Sequence, residues 1–106
     1  MYIVIYTTAK DKDEGKEIAQ KLLGEKLVAC VNILPAIESF YWWQDKIESS
    51  QEVLLVIKSK KGLFKKIVKT IQSVHSYDVP EIIALPIIDG SKNYLKWLSD
   101  SVKGKK

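Results

Sequence analysis

The sequence predicts an α+β fold of the ferredoxin-like kind. The expected architecture is a βαββαβ sandwich, an antiparallel sheet with helices on one face, plus an extra C-terminal helix. Three observations carry this. Short β-branched and aromatic runs alternate with two helical stripes in that order. No linker, repeat or low-complexity segment divides the 106 residues, so residues 1–106 read as a single domain. And the stretch from Ile37 to Ser59 folds back on itself as one long hairpin between the second and third strands.

Tyr2 to Thr8 is a continuous β-branched and aromatic run, as expected of a central strand buried on both faces. Asp11, with Glu14 three residues on, reads as a capping box opening a helix. Its apolar stripe is Ile18, Ala19, Leu22 and Leu23, and Gly24 reads as the stop just past its end. Leu27 to Leu34 is a second strand, which Pro35 marks as an edge or a bulge. Beyond Pro35 the chain enters the aromatic block Phe40-Tyr41-Trp42-Trp43, turns at Gln44-Asp45-Lys46, and returns through a polar segment into Val53 to Ile57. Residues 60–75 carry Leu63, Ile67, Ile71 and Val74 at helical spacing, with Lys60, Lys61, Lys65, Lys66 and Lys69 mostly on a solvated opposite face. Residues 75–81 form a loop and Ile82 to Ile88 a fourth strand, with Pro86 marking an edge or an end. Asp89-Gly90 turns the chain, and Ser91 caps a last helix bearing Tyr94, Leu95, Trp97 and Leu98.

The hairpin is too long for its domain. Each arm of about eleven residues spans roughly 35 Å at ~3.3 Å per residue, whereas a domain of this size has a radius of gyration of only ~13 Å. The tip must protrude or dock. Alternation along a strand sends Phe40 and Trp42 to one face and Tyr41 and Trp43 to the other. Apolar patches on both faces mark an interaction surface, and copies of the same chain are the simplest partner.

Composition narrows the function classes. Apolar content of 46% and charged content of 28% are ordinary for a soluble domain. No apolar run approaches a membrane span, and no basic n-region precedes the first strand, so neither a membrane partner nor a signal peptide is expected. The single cysteine, Cys30, cannot pair within the chain and fits a reducing, cytoplasmic setting, where it reads as a small buried hydrophobe. The net charge of +4 does not point to nucleic acid: there is no arginine, and removing the charges of Lys103, Lys105 and Lys106 leaves +1. That tail reads as a frayed, solvated end. There is no phosphate-cradling glycine loop and no cysteine pair at metal spacing. An acylphosphatase-like site would need an arginine, and an RNA-recognition sheet would need aromatic residues where Val53 to Ile57 stand. The remaining chemistry-bearing residues are Cys30, Asp45, Glu52, Lys58, His75, Tyr77, Asp78 and Glu81. His75 ends a helix, so capping and metal ligation both suit it. No catalytic constellation emerges, and what remains is a self-associating scaffold that binds a small ligand or ion.

Four stretches together resemble the CutA family of divalent-cation tolerance proteins. They are Leu27 to Asn32, Tyr41-Trp42-Trp43 with Lys46-Ile47-Glu48, His75 to Ile82, and Tyr94 to Leu98. The resemblance implies a ferredoxin-like subunit and a tight, PII-like homotrimer whose hairpins pack on neighbours through Phe40, Tyr41, Trp42 and Trp43. It also implies a non-enzymatic, cytoplasmic role in copper or other divalent-cation response. The copper-ligand positions of bacterial relatives fall on Tyr6, Val74 and His75, of which only His75 keeps a metal-binding side chain. Lys58, Tyr77 and Glu81 are expected near a ligand groove between subunits. The alternative is a PII-like signalling scaffold that binds a small anionic ligand or a partner protein.

Overall fold

A computed structural model describes residues 1–103. The elements follow the expected order: β1 (Tyr2–Ala9), α1 (Lys12–Gly24), β2 (Cys30–Trp43), β3 (Lys46–Lys60), α2 (Phe64–Val74), β4 (Ile82–Pro86) and α3 (Lys92–Ser101). A single 3-10 turn, Lys61–Leu63, starts the second helical segment. The sheet is antiparallel with order β2-β3-β1-β4, so β1 is interior, as its apolar run requires.

The core lies between the sheet and α1 and α2. Odd-numbered residues of β1 and β3 point one way, and Ile5, Leu55 and Ile57 meet Ile18, Leu22, Ile67 and Ile71 there, all at 0% exposure. Burying each such side chain contributes about 1.5–3 kcal/mol. On the opposite sheet face Val4, Tyr6, Val56 and Lys58 are only half-buried.

Several local expectations are corrected. Asp11 caps α1 through Glu14 N–H (2.9 Å), but the Glu14 carboxylate accepts from Lys10 N–H rather than closing the reciprocal box. Gly24 is the last helical residue. The left-handed position is Lys26 (φ 56°), where Lys26 N–H donates to Leu23 O and Leu27 N–H to Leu22 O, a Schellman cap that buries Leu27 against Leu22. β2 starts at Cys30, three residues later than expected, and Leu27 and Val28 are buried before it. β4 stops at Pro86. Ser91 occupies the N-cap of α3 without a side-chain capping bond. Lys103 is tied by its N–H to Lys26 O, so the chain is not frayed there. Lys105 and Lys106 lie outside the described residues.

The hairpin is longer than expected, with arms of 14 and 15 residues. It gives the chain extents of 44 × 26 × 22 Å. Gln44 and Asp45 (φ 50° and 65°) form the two-residue turn, both left-handed, which matches the twist of the flanking strands. Pro35 and Ala36 make a bulge on edge strand β2: Leu34 faces Leu54, but Ile37 faces Glu52. The extra residue inverts the alternation of β2. Before the bulge, odd residues face the helices. After it, Ile37, Ser39 and Tyr41 share a face with Glu52, Ser50 and Glu48.

Candidate functional site

The inverted alternation builds one wall of a groove of about 850 Å³ at the base of the arm. Tyr41, Trp43, Glu48, Ser50 and Glu52 come from the hairpin, and Phe40 and Trp42 also line it. The opposite wall is the 75–81 loop, which contributes Tyr77, Asp78 and Glu81. Four carboxylates line the groove, and no lysine does among the described residues. Tyr41 Oη and Ser50 Oγ are hydrogen-bonded across the hairpin (3.2 Å).

The two walls meet in one bond. Tyr77 donates its hydroxyl to Glu52 Oε2 at 2.7 Å. Glu52 is 8% exposed although it stands on a hairpin whose neighbours Gln51 and Ser49 are in solvent. Burial, then the hydrogen bond and charge of Glu52, push the Tyr77 phenol well above its ordinary value of 10.0.

The loop is anchored by two buried side chains. His75 is the C-cap of α2, and its ring is fully buried. Nε2 lies 2.7 Å from the carbonyl oxygen of Thr8, and Nδ1 lies 3.0 Å from the backbone N–H of Tyr77. The ring stacks obliquely on Tyr77, with centroids 4.7 Å apart. Glu14, 6% exposed, accepts from Lys10 N–H through Oε1 and from Ser76 N–H through Oε2 (2.7 Å). Burial pushes its carboxyl up, but the donors from Lys10 and Ser76 outweigh that and hold it below its ordinary value of 4.5.

Of the residues singled out from the sequence, the structure brings together Glu52, Tyr77, Asp78, Glu81 and the arm aromatics. Lys58 stands apart, roughly six residues and about 20 Å along β3 from Glu52, where its ammonium meets Asn32 Oδ1. Lys58 is therefore not part of this groove within the subunit. Cys30, opposite Lys58, is half-buried and donates to the same Asn32 oxygen at 3.7 Å. Glu14 was legible only as a helix cap, because its second partner, Ser76, is 62 residues away.

The three inherited copper-ligand positions do not fit a metal ion. Val74 has no donor atom, Tyr6 sits in the sheet opposite Val56 and Ile83, and both ring nitrogens of His75 are already bonded. No group of three or more histidine, cysteine, aspartate or glutamate side chains is placed to hold a metal among the described residues. Nor is any described helix long and apolar enough to cross a membrane.

The arm aromatics are largely open: Phe40 is 70% exposed, Trp42 73% and Trp43 59%.

Comparison with known proteins places the chain. Residues 3–101 match the family model described as CutA1 divalent ion tolerance protein. The chain is 46% identical over 95% of its length to the chloroplastic protein CutA 1 of Oryza sativa, and spans 57% of that protein. It is 41% identical over 97% of its length to the divalent-cation tolerance protein CutA of Archaeoglobus fulgidus, and spans all of it. The crystal structure of CutA1 from Oryza sativa superposes with a TM-score of 0.95, covering 97% of this chain and 94% of that one. The Archaeoglobus fulgidus structure, described as a periplasmic divalent cation tolerance protein, gives 0.95 with 97% and 100% covered. By sequence over nearly its whole length, and by fold down to the long hairpin, the chain belongs to the CutA1 divalent ion tolerance family.

Proposed function

We propose that this protein is a non-enzymatic homotrimer that serves divalent-cation tolerance, copper foremost, by binding ions rather than by catalysis, in the cytoplasm. One observation carries the assembly: the arm exposes large aromatic residues on both faces, with Ile47 67% exposed beside them. Monomers rarely keep such a surface open. The sheet supports the same reading, since β2 and β4 both end it with unpaired edges and Ile83 and Leu85 of β4 are exposed. The lone, unpaired Cys30 supports a reducing compartment.

The groove supports a cation over an anion. Glu48, Glu52, Asp78 and Glu81 surround it, so the field at its mouth is negative, and the basic residue that an anion would need, Lys58, is elsewhere. In this reading the ligand set of the ion is completed by a neighbouring subunit. The signalling scaffold with a small anionic ligand is the weaker reading for the same reason.

Sedimentation over a falling concentration series tests the assembly. Three subunits per particle is the expected result, and a monomer that stays folded on dilution overturns it. Titration with copper and zinc, beside Glu52→Gln and Glu81→Gln, tests the groove. Saturable binding weakened in both variants supports it, and unchanged binding in both removes the groove from the function.

A further inference from the structure

His75 is the residue that the family resemblance leaves as a metal ligand, and its hydrogen bonds say otherwise. The Thr8 carbonyl can only accept, so the ring Nε2 at 2.7 Å must carry the proton. The Tyr77 backbone N–H can only donate, so Nδ1 at 3.0 Å must present its lone pair. The ring is therefore a neutral Nε2–H imidazole whose one available lone pair is spent. No water reaches it, because the side chain is 0% exposed. Metal binding needs a free imidazole lone pair, and reaching it here would orphan the half-buried N–H of Tyr77.

What these bonds do is orient the groove. Thr8 belongs to β1 and Tyr77 to the loop, so the ring joins the end of the central strand to the groove wall. It holds Tyr77 at its backbone and packs on its ring, and Tyr77 in turn reaches Glu52. Glu14 fixes the neighbouring Ser76 N–H and faces Nδ1 across 3.9 Å. We propose that His75 is a positioning residue: as the neutral Nε2–H tautomer it clasps the 75–81 loop to β1, sets the Tyr77–Glu52 pair in the groove wall, and ligates no metal in the folded protein. The proposal goes beyond the cation reading and stands whether or not the protein assembles as a trimer.

The chain has one histidine, so its ring signals are unambiguous. The test is a two-bond nitrogen–proton correlation spectrum of the 15N-labelled full chain at neutral pH, repeated with one equivalent of diamagnetic Zn(II). The Nε2–H pattern, kept with zinc present, is the expected result. An imidazolium or Nδ1–H pattern overturns the proposal, as does a saturable zinc-induced shift of the Nδ1 signal to that of a metal-bound imidazole nitrogen. Two substitutions separate positioning from bulk. In His75→Asn the side-chain oxygen can stand in for Nδ1, so Tyr77 amide exchange stays near that of the parent. In His75→Gln only the donor to Thr8 is replaced, so the Tyr77 amide exchanges about tenfold faster, the scale of one lost hydrogen bond. Equal Tyr77 exchange in both variants and the parent overturns the clasp. If neither variant folds, the ring spectrum of the unaltered protein decides.

Discussion

The β2–β3 hairpin is one continuous ladder held by different forces in its two halves. In the root, Val53, Leu55 and Ile57 are at most 5% exposed and pack under α1 and α2. In the tip, from Glu38 to Gln51, every residue but Ser39 and Ser50 is exposed. The root has what a strand ordinarily needs, a hydrophobic face on a core. The tip has cross-strand hydrogen bonds, a left-handed turn and aromatic side chains, and no helix beneath it, only the 75–81 loop across the groove. An isolated two-stranded ribbon is marginal in water. The contrast teaches that the chain carries two folding instructions on one pair of strands, one answered within the chain's own core and one that the proposed assembly would answer at a partner surface.

The largest effect that sharpens this contrast belongs to the root. Leu55 touches the core from its centre, and Leu55→Ala should cost about 2–5 kcal/mol through lost burial and the cavity left behind. Chemical denaturation checks it. A cost below about 1 kcal/mol would mean that the root is not the stabilising half.

Next comes the clasp, which lies between root and tip. Glu14 accepts two backbone N–H groups, so Glu14→Gln turns an NH₂ group toward one of two donors. The expected loss is about 1–3 kcal/mol, the cost of an unsatisfied buried group. The pH dependence has a definite sign. Because the folded carboxyl is held below 4.5, its contribution is present above that pH and is lost as pH falls through the lower folded value. The variant should show a flatter acid limb in urea denaturation across the same range. Tyr77 acts oppositely: its raised phenol contributes below pH 10.0 and loses that contribution as pH climbs above it.

These two regions also mark what a sequence makes legible. Alternation and helical spacing are local signals, and the core residues Ile18, Leu22, Ile67 and Ile71 could be read from them. The hairpin's length was legible as a mismatch between strand and domain size. The groove was legible only in part, through Tyr77 and Glu81, and its walls were not, for two physical reasons. Its alternation depends on the bulge at Pro35 and Ala36, and a proline announces an edge or bulge without stating which face follows. Its second wall depends on His75 and Glu14 reaching partners 67 and 62 residues away. A helix-ending histidine looks the same in sequence whether its nitrogens meet a metal or a backbone. The stop of α1 shows the limit on a smaller scale: Gly24 carries the expected residue type, but Lys26 takes the left-handed position because the cap that buries Leu27 needs it there.

The bulge itself predicts a smaller gain. Ala36 sits at φ 62°, a left-handed position that costs a side-chain-bearing residue about 1–2 kcal/mol. Glycine adopts it freely but loses about 0.5–1 kcal/mol more than alanine in chain entropy on folding. Ala36→Gly should therefore stabilise the protein, by no more than about 1.5 kcal/mol on these two figures. Thermal denaturation reads it, and a lower midpoint would mean that the methyl group of Ala36 makes a contact worth more than the strain.

The smallest effect on the subunit belongs to the most conspicuous residue. Trp42 is 73% exposed, so in the dissociated subunit it has little to lose. Trp42→Ala should change the stability of that form by no more than about 0.5 kcal/mol. Its effect should surface instead in association: the concentration at which the assembly dissociates should rise, and the denaturation midpoint should become more sensitive to protein concentration. Leu55→Ala should do the reverse, lowering the stability of the dissociated subunit itself. If Trp42→Ala destabilises the dissociated subunit as much as Leu55→Ala does, the tip packs on its own domain, and the division of the hairpin into an inward root and an outward tip fails. If it weakens only association, the aromatic arm is an interface whose cost of exposure each subunit carries until it meets another.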